Sequence, residues 1–170
     1  FGANINCGQV CTSSERFFVH QDIHDEFVAK LVVEVGKLRI GNGLDQVDLG
    51  PMVNEAGRAR YEGVLARAIE QGAKVACGGG RPAGFNKGWF IEPTVLTEVT
   101  TDMDIMNSES FGPATPICRV ASFDEAIENP VVLDVLRRII GEEITFEEFA
   151  IMLREPTSQL DEIKGWHRDI

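Results

Sequence analysis

The sequence lacks long apolar runs, a dense set of cysteines and an excess of positive charge. No uninterrupted apolar stretch in its 170 residues approaches the roughly 18 residues that a membrane-spanning helix needs. Its first seven residues, Phe-Gly-Ala-Asn-Ile-Asn-Cys, do not follow the charged and then apolar pattern of a secretory signal peptide. We therefore predict a soluble protein of the cytoplasm with no membrane partner.

Positive charge is scarce, because 16 Lys and Arg residues are set against 27 Asp and Glu residues. The resulting net charge of −11 and the pI near 4.7 would repel a nucleic-acid backbone. The remaining composition, with 44% hydrophobic and 25% charged residues and a mean hydropathy of −0.06, is typical of a folded globular domain. Nucleic acid is therefore not an expected partner.

The four cysteines are Cys7, Cys11, Cys77 and Cys118. They are too few and too unevenly spaced for a disulfide framework. No second close pair accompanies Cys7 and Cys11 to complete a four-ligand zinc site. We expect reduced thiols, and the question for each is whether it belongs to the core or reacts.

The histidines do not form a convincing metal site either. His20 and His24 are four residues apart, but Asp22 between them is predicted to mark a turn from a strand to a helix. The two imidazoles then need not face one another. We expect no bound metal in this protein.

Hydrophobic periodicity predicts alternating strands and helices, which is typical of an α/β fold. A helix is predicted over about 22–38, and Asn54 is a suitable N-cap for a second helix that ends near Gly72. The Gly-rich segment 78–84 is interpreted as a plain turn, since neither a helix nor a Lys-Ser/Thr pair follows it. Strands are predicted at 15–20, 74–77, 89–95 and 116–120, a further helix from Ser122, and core-facing helix residues at Ile23, Phe27, Leu31, Val35, Tyr61, Leu65, Ala68 and Ile69.

The composition changes near Asn129 and Pro130. Residues 129–170 hold 14 charged residues and two glycines, whereas residues 1–128 hold 29 charged residues and 15 glycines. This shift, with a Thr-x-x-Glu capping box at Thr145, predicts two short helices. The segment is similar to the start of the second helix of an EF-hand, but the Asp-rich loop is absent, so we do not expect calcium binding.

The segment Gly8–Arg16, which contains Cys11, is the best candidate for chemistry. A cysteine that follows a glycine turn could lie at a helix start, where free N–H groups and the helix dipole favour the nucleophilic thiolate. The same N–H groups could hold an oxyanion. The alternative is an inert thiol in the core, which is the commoner fate of a cysteine.

Four motifs in order carry a family resemblance. Residues 6–16, Asn-Cys-Gly-Gln-Val-Cys-Thr-Ser-Ser-Glu-Arg, resemble the active-site cysteine motif of the NAD(P)-dependent aldehyde dehydrogenase superfamily. Residues 49–53 resemble its Gly-Pro turn, and residues 88–96 resemble its Gly-aromatic-Phe-Ile-Glu-Pro-Thr segment. Residues 109–113, Glu-Ser-Phe-Gly-Pro, resemble its Glu-x-Phe-Gly-Pro cofactor motif.

The resemblance implies a small-molecule aldehyde as substrate, NAD or NADP as cofactor and a carboxylic acid as product. It makes Cys11 the nucleophile, through a thiohemiacetal and then a thioester, with its own N–H helping to hold the oxyanion. It also implies that Glu109 bonds the nicotinamide ribose and that Phe111 packs beside the nicotinamide. Cys7 receives no catalytic role, although its oxidation with Cys11 is conceivable.

The resemblance also indicates that this chain is a fragment. The chain starts at Phe1 rather than Met, and the family's nucleotide-binding domain, its general-base Glu and its oxyanion-hole Asn would all precede the cysteine motif. Asn4 stands where an aromatic residue is usual. We therefore expect no activity from the chain alone, and the competing hypothesis is a non-catalytic remnant or interaction module.

We expect residues 1–128 to be a partial catalytic domain, in which helices flank a mixed sheet. Residues 129–170 are expected to be a helical tail that the family does not share, whether by fusion, frame change or truncation. A homo-oligomer remains open, since the strand that usually joins subunits of the family is not among these residues.

Overall fold

The computed structural model describes residues 2–122, 125 and 126, which fold into a mixed sheet flanked by helices. In chain order the elements are a 3₁₀ turn Ile5–Gly8, β1 Phe17–His20, α1 Gln21–Val35, α2 Glu55–Glu70, β2 Lys74–Cys77, β3 Thr94–Val99, α3 Asp104–Asn107 and β4 Ala114–Val120. The predicted α/β class is confirmed. The composition change at Asn129, the predicted tail helices and the capping box at Thr145 lie outside the described residues.

The sheet has the strand order β1-β4-β3-β2. Strands β1 and β3 run parallel to β4, and β2 is antiparallel to β3. Every residue of β4 except Arg119 is buried, as expected for a parallel strand that is covered on both faces. Alternate residues of the sheet therefore enter two separate core clusters.

One cluster lies on the α1 face, where Val95 and Ile117 pack with Val35. The other lies on the α2 face, where Leu96 and Cys118 belong to the same cluster as Tyr61. Since side chains alternate along a strand, adjacent residues of β3 and of β4 serve opposite faces. The sheet thus separates the helix α1 from the segments that carry the cysteine motif.

Three of the four strands have bounds that differ from the prediction, and β1, expected at 15–20, begins at Phe17. The strand expected at 89–95 begins at Thr94 and ends at Val99, because Pro93 has no N–H to donate to the ladder. The strand expected at 116–120 begins at Ala114. The N–H of Thr94 bonds the carbonyl of Pro113 at 2.8 Å, so the two strands start together.

Helix α1 is shorter than predicted and begins differently. It ends at Val35, and its N-cap is His20, whose Nδ1 accepts the N–H of Asp22 at 3.3 Å. Ile23, expected in the core, is 45% exposed, whereas His24 is 3% exposed. Phe27, Leu31 and Val35 pack against the sheet as expected, so Ile23 is the one predicted residue that lies outside the buried face of α1.

Helix α2 follows its prediction closely. The side chain of Asn54 accepts the N–H of Gly57 at 2.7 Å, which confirms it as the N-cap. Tyr61, Leu65 and Ala68 are buried as expected, while Ile69 is exposed.

At the end of the described chain, Ser122 accepts the N–H of Glu125 at 3.1 Å, as the predicted cap requires. Within the part of the chain that the structure describes, no helix is long and apolar enough to cross a membrane.

Three residues stack at the start of β4 and hold the N-terminal loop against the sheet. Gly8 has a φ of +69°, and a Cβ built on it would lie 2.1 Å from the carbonyl oxygen of Gly112. A Cβ on Gly112 would in turn lie 2.1 Å from the ring of Tyr61. Neither glycine can carry a side chain, so loop, turn and helix α2 meet at van der Waals distance.

Gly8→Ala should therefore destabilise the fold more than an equivalent change in a turn with free space. We expect a loss of about 3 kcal/mol in the free energy of unfolding, because the new methyl group adds a backbone clash to the left-handed strain. Gly84 is the matched control, since it has a φ of +85° and nothing within 4 Å of its built Cβ. Gly84→Ala should cost about 1 kcal/mol in urea denaturation, and equal losses in the two variants would contradict this packing.

Candidate active site around Cys11

Cys11 lies in a turn, not at the start of a helix. The N–H of Ser13 bonds the carbonyl of Val10 at 2.9 Å, and the chain then runs without a helix to β1. The prediction of a helix start at Cys11 is therefore wrong. The hydroxyl of Ser13 donates to the carbonyl of Gly2 at 3.3 Å instead of capping a helix, and the β-prone residues of β1 follow too soon for one to form. Cys11 itself is exposed.

The turn before Cys11 is left-handed over three consecutive residues. Asn6, Cys7 and Gly8 have φ values of 49°, 58° and 69°. The side chain of Asn6 donates to the carbonyl of Gln9 at 3.2 Å, and the side chain of Gln9 donates to the carbonyl of Asn6 at 3.0 Å. These reciprocal bonds hold a conformation that costs energy at each non-glycine residue.

Gln9 also ties the cysteine loop to the Gly-Pro turn. Its Oε1 accepts the N–H of Val53 at 2.9 Å. The N–H of Met52 bonds the carbonyl of Trp89 at 3.0 Å, so the third motif joins the same assembly. Three of the four sequence motifs are therefore linked directly by hydrogen bonds.

Glu15 links the cysteine loop to the fourth motif. One oxygen, Oε1, accepts three hydrogen bonds: from the N–H of Ser110 at 3.1 Å, from the hydroxyl of Ser110 at 2.9 Å and from the N–H of Phe111 at 3.0 Å. The neighbouring Arg16 donates from Nε to the carbonyl of Met106 at 2.6 Å. The segments that carry the predicted nucleophile and the predicted cofactor residues are thus joined by hydrogen bonds.

The two predicted cofactor residues differ in environment. Glu109 is exposed, and Phe111 is half-buried with a φ of +46°, which is a strained conformation for an aromatic residue. The guanidinium of Arg60, on α2, lies over the Phe111 ring at 5.6 Å from its centroid. This distance is within the range of a cation–π contact.

The other three thiols are less accessible than that of Cys11. Cys7 and Cys118 are buried, and Cys77 is half-buried. Burial raises the pKa of Cys7 to about 12, because the charged thiolate is disfavoured away from water. Burial also raises the pKa of Cys118 and of Cys77. All four cysteines are free thiols in the structure.

The two histidines in the described part of the chain, His20 and His24, each have a hydrogen-bond partner. His20 contacts the carbonyl of Ala121 through Nε2 at 2.9 Å, and His24 contacts Asp25 through Nδ1 at 2.9 Å. In residues 2–122, 125 and 126, no three His, Cys, Asp or Glu side chains are grouped so that they could hold a metal ion.

The sequence predicts Cys11, Glu109 and Phe111 as site residues but does not indicate the residues that connect their segments. Glu15 contacts a residue 95 positions away in the sequence, and Gln9 contacts one 44 positions away. No local sequence pattern predicts such contacts. The one feature of the sequence that could have drawn attention to Glu15 and Gln9 is their closeness to the predicted nucleophile. The contact of Arg60 with the Phe111 ring could not be predicted, since a charged residue on a helix is ordinarily solvated.

Comparison with known proteins places this assembly in a family. The model of the aldehyde dehydrogenase family matches residues 1–130. The betaine aldehyde dehydrogenase of Brucella anthropi is 44% identical over 123 residues, which cover 71% of this chain and 25% of that protein. The NADP(+) succinate-semialdehyde dehydrogenase of Mycobacterium leprae is 43% identical over 124 residues, covering 72% and 27%.

Solved structures agree with this assignment. The fold matches a 3,6-anhydro-L-galactose dehydrogenase with a TM-score of 0.73 and 44% identity, over 75% of this chain and 28% of that one. It matches an NAD⁺ complex of a Mycobacterium tuberculosis aldehyde dehydrogenase with a TM-score of 0.72 and 37% identity, over 75% and 27%. The chain spans about a quarter of the length of the curated relatives that it matches. By its sequence, its motifs and its fold, this chain belongs to the aldehyde dehydrogenase family.

Proposed function

We propose that Cys11 is the nucleophile of an enzyme that oxidises a small aldehyde to a carboxylic acid with NAD or NADP. The observation that carries the proposal is the contact between the Cys11 loop and the Glu109–Pro113 turn, through Gly8 and Glu15. Of the four thiols, that of Cys11 is the exposed one, as a substrate-facing nucleophile must be. The printed activities of the relatives support the same reaction class.

The reaction that we propose for Cys11 has three steps. Its thiolate adds to the aldehyde carbonyl carbon and forms a thiohemiacetal, while the backbone N–H of Cys11 helps to hold the oxyanion. Hydride then leaves the former aldehyde carbon, and a bound nicotinamide cofactor would supply the acceptor for it. The resulting thioester reacts with water, which releases the carboxylic acid and restores the thiol.

The residues near the turn have the chemistry that a nicotinamide nucleotide requires. The exposed carboxylate of Glu109 is an acceptor for ribose hydroxyl groups. The half-buried Phe111 ring offers an apolar face for a planar heterocycle, and Arg60 already lies over that ring. We therefore assign Glu109 to the ribose and Phe111 to the nicotinamide.

We further propose that residues 1–128 are part of a catalytic domain and that residues 129–170 are a segment that the family does not share; the family model matches residues 1–130. A polypeptide of these 170 residues alone would not turn over aldehyde, since it spans about a quarter of the length of its relatives. The reaction is a property of the whole enzyme, together with the residues that supply a base and the main nucleotide site.

Iodoacetamide at pH 7.5 should alkylate Cys11 at least about tenfold faster than Cys7, Cys77 or Cys118. At that pH a thiol with a pKa of about 12 is thiolate in on the order of one molecule in 10⁴ or fewer, so Cys7 should be nearly inert. Peptide mass spectrometry measures the rate at each site. Cys11→Ser should remove the fast phase.

The urea-unfolded chain is the sharper control, because every thiol is then fully exposed. We expect Cys11 to react in the folded chain within about threefold of its rate in the unfolded chain, because its thiol is exposed, whereas the buried Cys7 should react at least about a hundredfold slower in the folded chain. A folded Cys11 rate more than about tenfold below its unfolded rate would show that the thiol is shielded from substrate, which would refute the nucleophile proposal and leave the non-catalytic module.

The purified 170-residue chain should form no reduced nicotinamide when it is mixed with NAD or NADP and betaine aldehyde. The assay is absorbance of the reduced cofactor, and the betaine aldehyde dehydrogenase of Brucella anthropi is the positive control for it. Turnover by the chain that disappears in Cys11→Ser would show that these residues are catalytically sufficient, contrary to our proposal.

A further inference from the structure

Glu15 is four residues beyond Cys11, and the mechanism above does not use it. Its Oε1 receives three donors from two adjacent residues, Ser110 and Phe111. Ser110 is 2% exposed, so its N–H and hydroxyl have no access to bulk water as an alternative partner. Removal of the carboxylate would leave these buried donors without an acceptor.

The bonds converge on a backbone conformation that does not persist without support. Phe111 has a φ of +46°, and a bulky residue in this region is normally held there by its surroundings. The N–H of Phe111 is itself one of the donors to Glu15 at 3.0 Å. The carboxylate therefore acts directly on the strained residue.

The side chain of Phe111 is held separately. Arg60 reaches over its ring from α2, at 5.6 Å from the centroid, while Gly112 is packed between Gly8 and the ring of Tyr61. The backbone on both sides of the Phe111 ring is thus fixed, by Glu15 on one side and by the glycine contact on the other.

We propose that Glu15 is a positioning residue that fixes the Ser110–Phe111 backbone and so presents the Phe111 ring beside the loop that carries Cys11. The inference rests on the proposed function, in which that ring contacts the nicotinamide. It assigns to the cysteine motif a second task, which is to set the geometry of the cofactor motif 95 residues away.

Amide hydrogen exchange of the 170-residue chain, resolved by NMR, tests this. In the wild type, the N–H groups of Ser110 and Phe111 should exchange at least about a hundredfold slower than in an unfolded chain. Glu15→Ala should accelerate both by about tenfold or more, and Glu15→Gln should stay within about threefold of the wild type, because an amide oxygen still accepts. Glu70→Ala is the control, an exposed carboxylate at the end of α2.

The position of the ring has its own spectroscopic signature. The Phe111 ring current should shift the δ-proton resonances of Arg60, and this shift should collapse in Glu15→Ala and return in Glu15→Gln. A loss of general stability would instead accelerate exchange throughout β4. Two results would overturn the proposal. One is rapid exchange of the Ser110 and Phe111 amides in the wild type, which can be measured even if Glu15→Ala does not fold. The other is exchange of these amides in Glu15→Ala within about twofold of the rate in the Glu70→Ala control.

The amide-exchange result and the alkylation of Cys11 test the two proposals separately. Slow alkylation of Cys11 with protected amides would refute the proposed reaction and leave Glu15 in its place. Fast alkylation of Cys11 with unprotected amides would refute the positioning by Glu15 and leave the reaction.

Discussion

The candidate site depends on one steric constraint, the backbone contact between Gly8 and Gly112. No side chain fits at either position, because a Cβ on the first would meet a carbonyl oxygen and a Cβ on the second would meet the ring of Tyr61. This contact brings residues more than 100 positions apart to van der Waals distance. It does so at the start of β4, where strand pairing already fixes the backbone.

Polar contacts then set the orientation that the glycines permit. Gln9 bonds Val53, Glu15 bonds the Ser110–Phe111 turn, and Arg16 bonds the carbonyl of Met106. Apart from the hydroxyl of Ser110, which also donates to Glu15, each partner on the far side is a backbone group, so these contacts mainly specify where the chain passes. Cys11 lies between these anchors and remains exposed, while burial raises the pKa of the Cys7 thiol four residues earlier. The loop therefore holds an exposed thiol and a buried thiol within five residues.

Helices and strands that depend on neighbouring residues could be predicted from the sequence. Contacts between residues far apart in the sequence could not. The Asn54 cap, helix α2 and the strand at Lys74 follow from short-range patterns and are present as expected. The start of α1 was misplaced because His20, an unusual N-cap, gave no capping signal. The helix start expected at Cys11 is replaced by a turn, since β1 begins only six residues later. The motifs pointed to Cys11, Glu109 and Phe111, but the contacts through Glu15 and Gly8 depend on the tertiary fold.

The contact between the cysteine loop and the cofactor motif is tested most directly by the nuclear Overhauser effect between the α-protons of Gly8 and the δ-protons of Pro113. A Cβ position on Gly8 lies 2.7 Å from the Pro113 nitrogen, so these protons should show a strong cross-peak in the folded chain. That cross-peak should vanish in urea. Its absence from a chain whose β3 and β4 amides are protected would contradict the claim that the fold joins the cysteine motif to the cofactor motif.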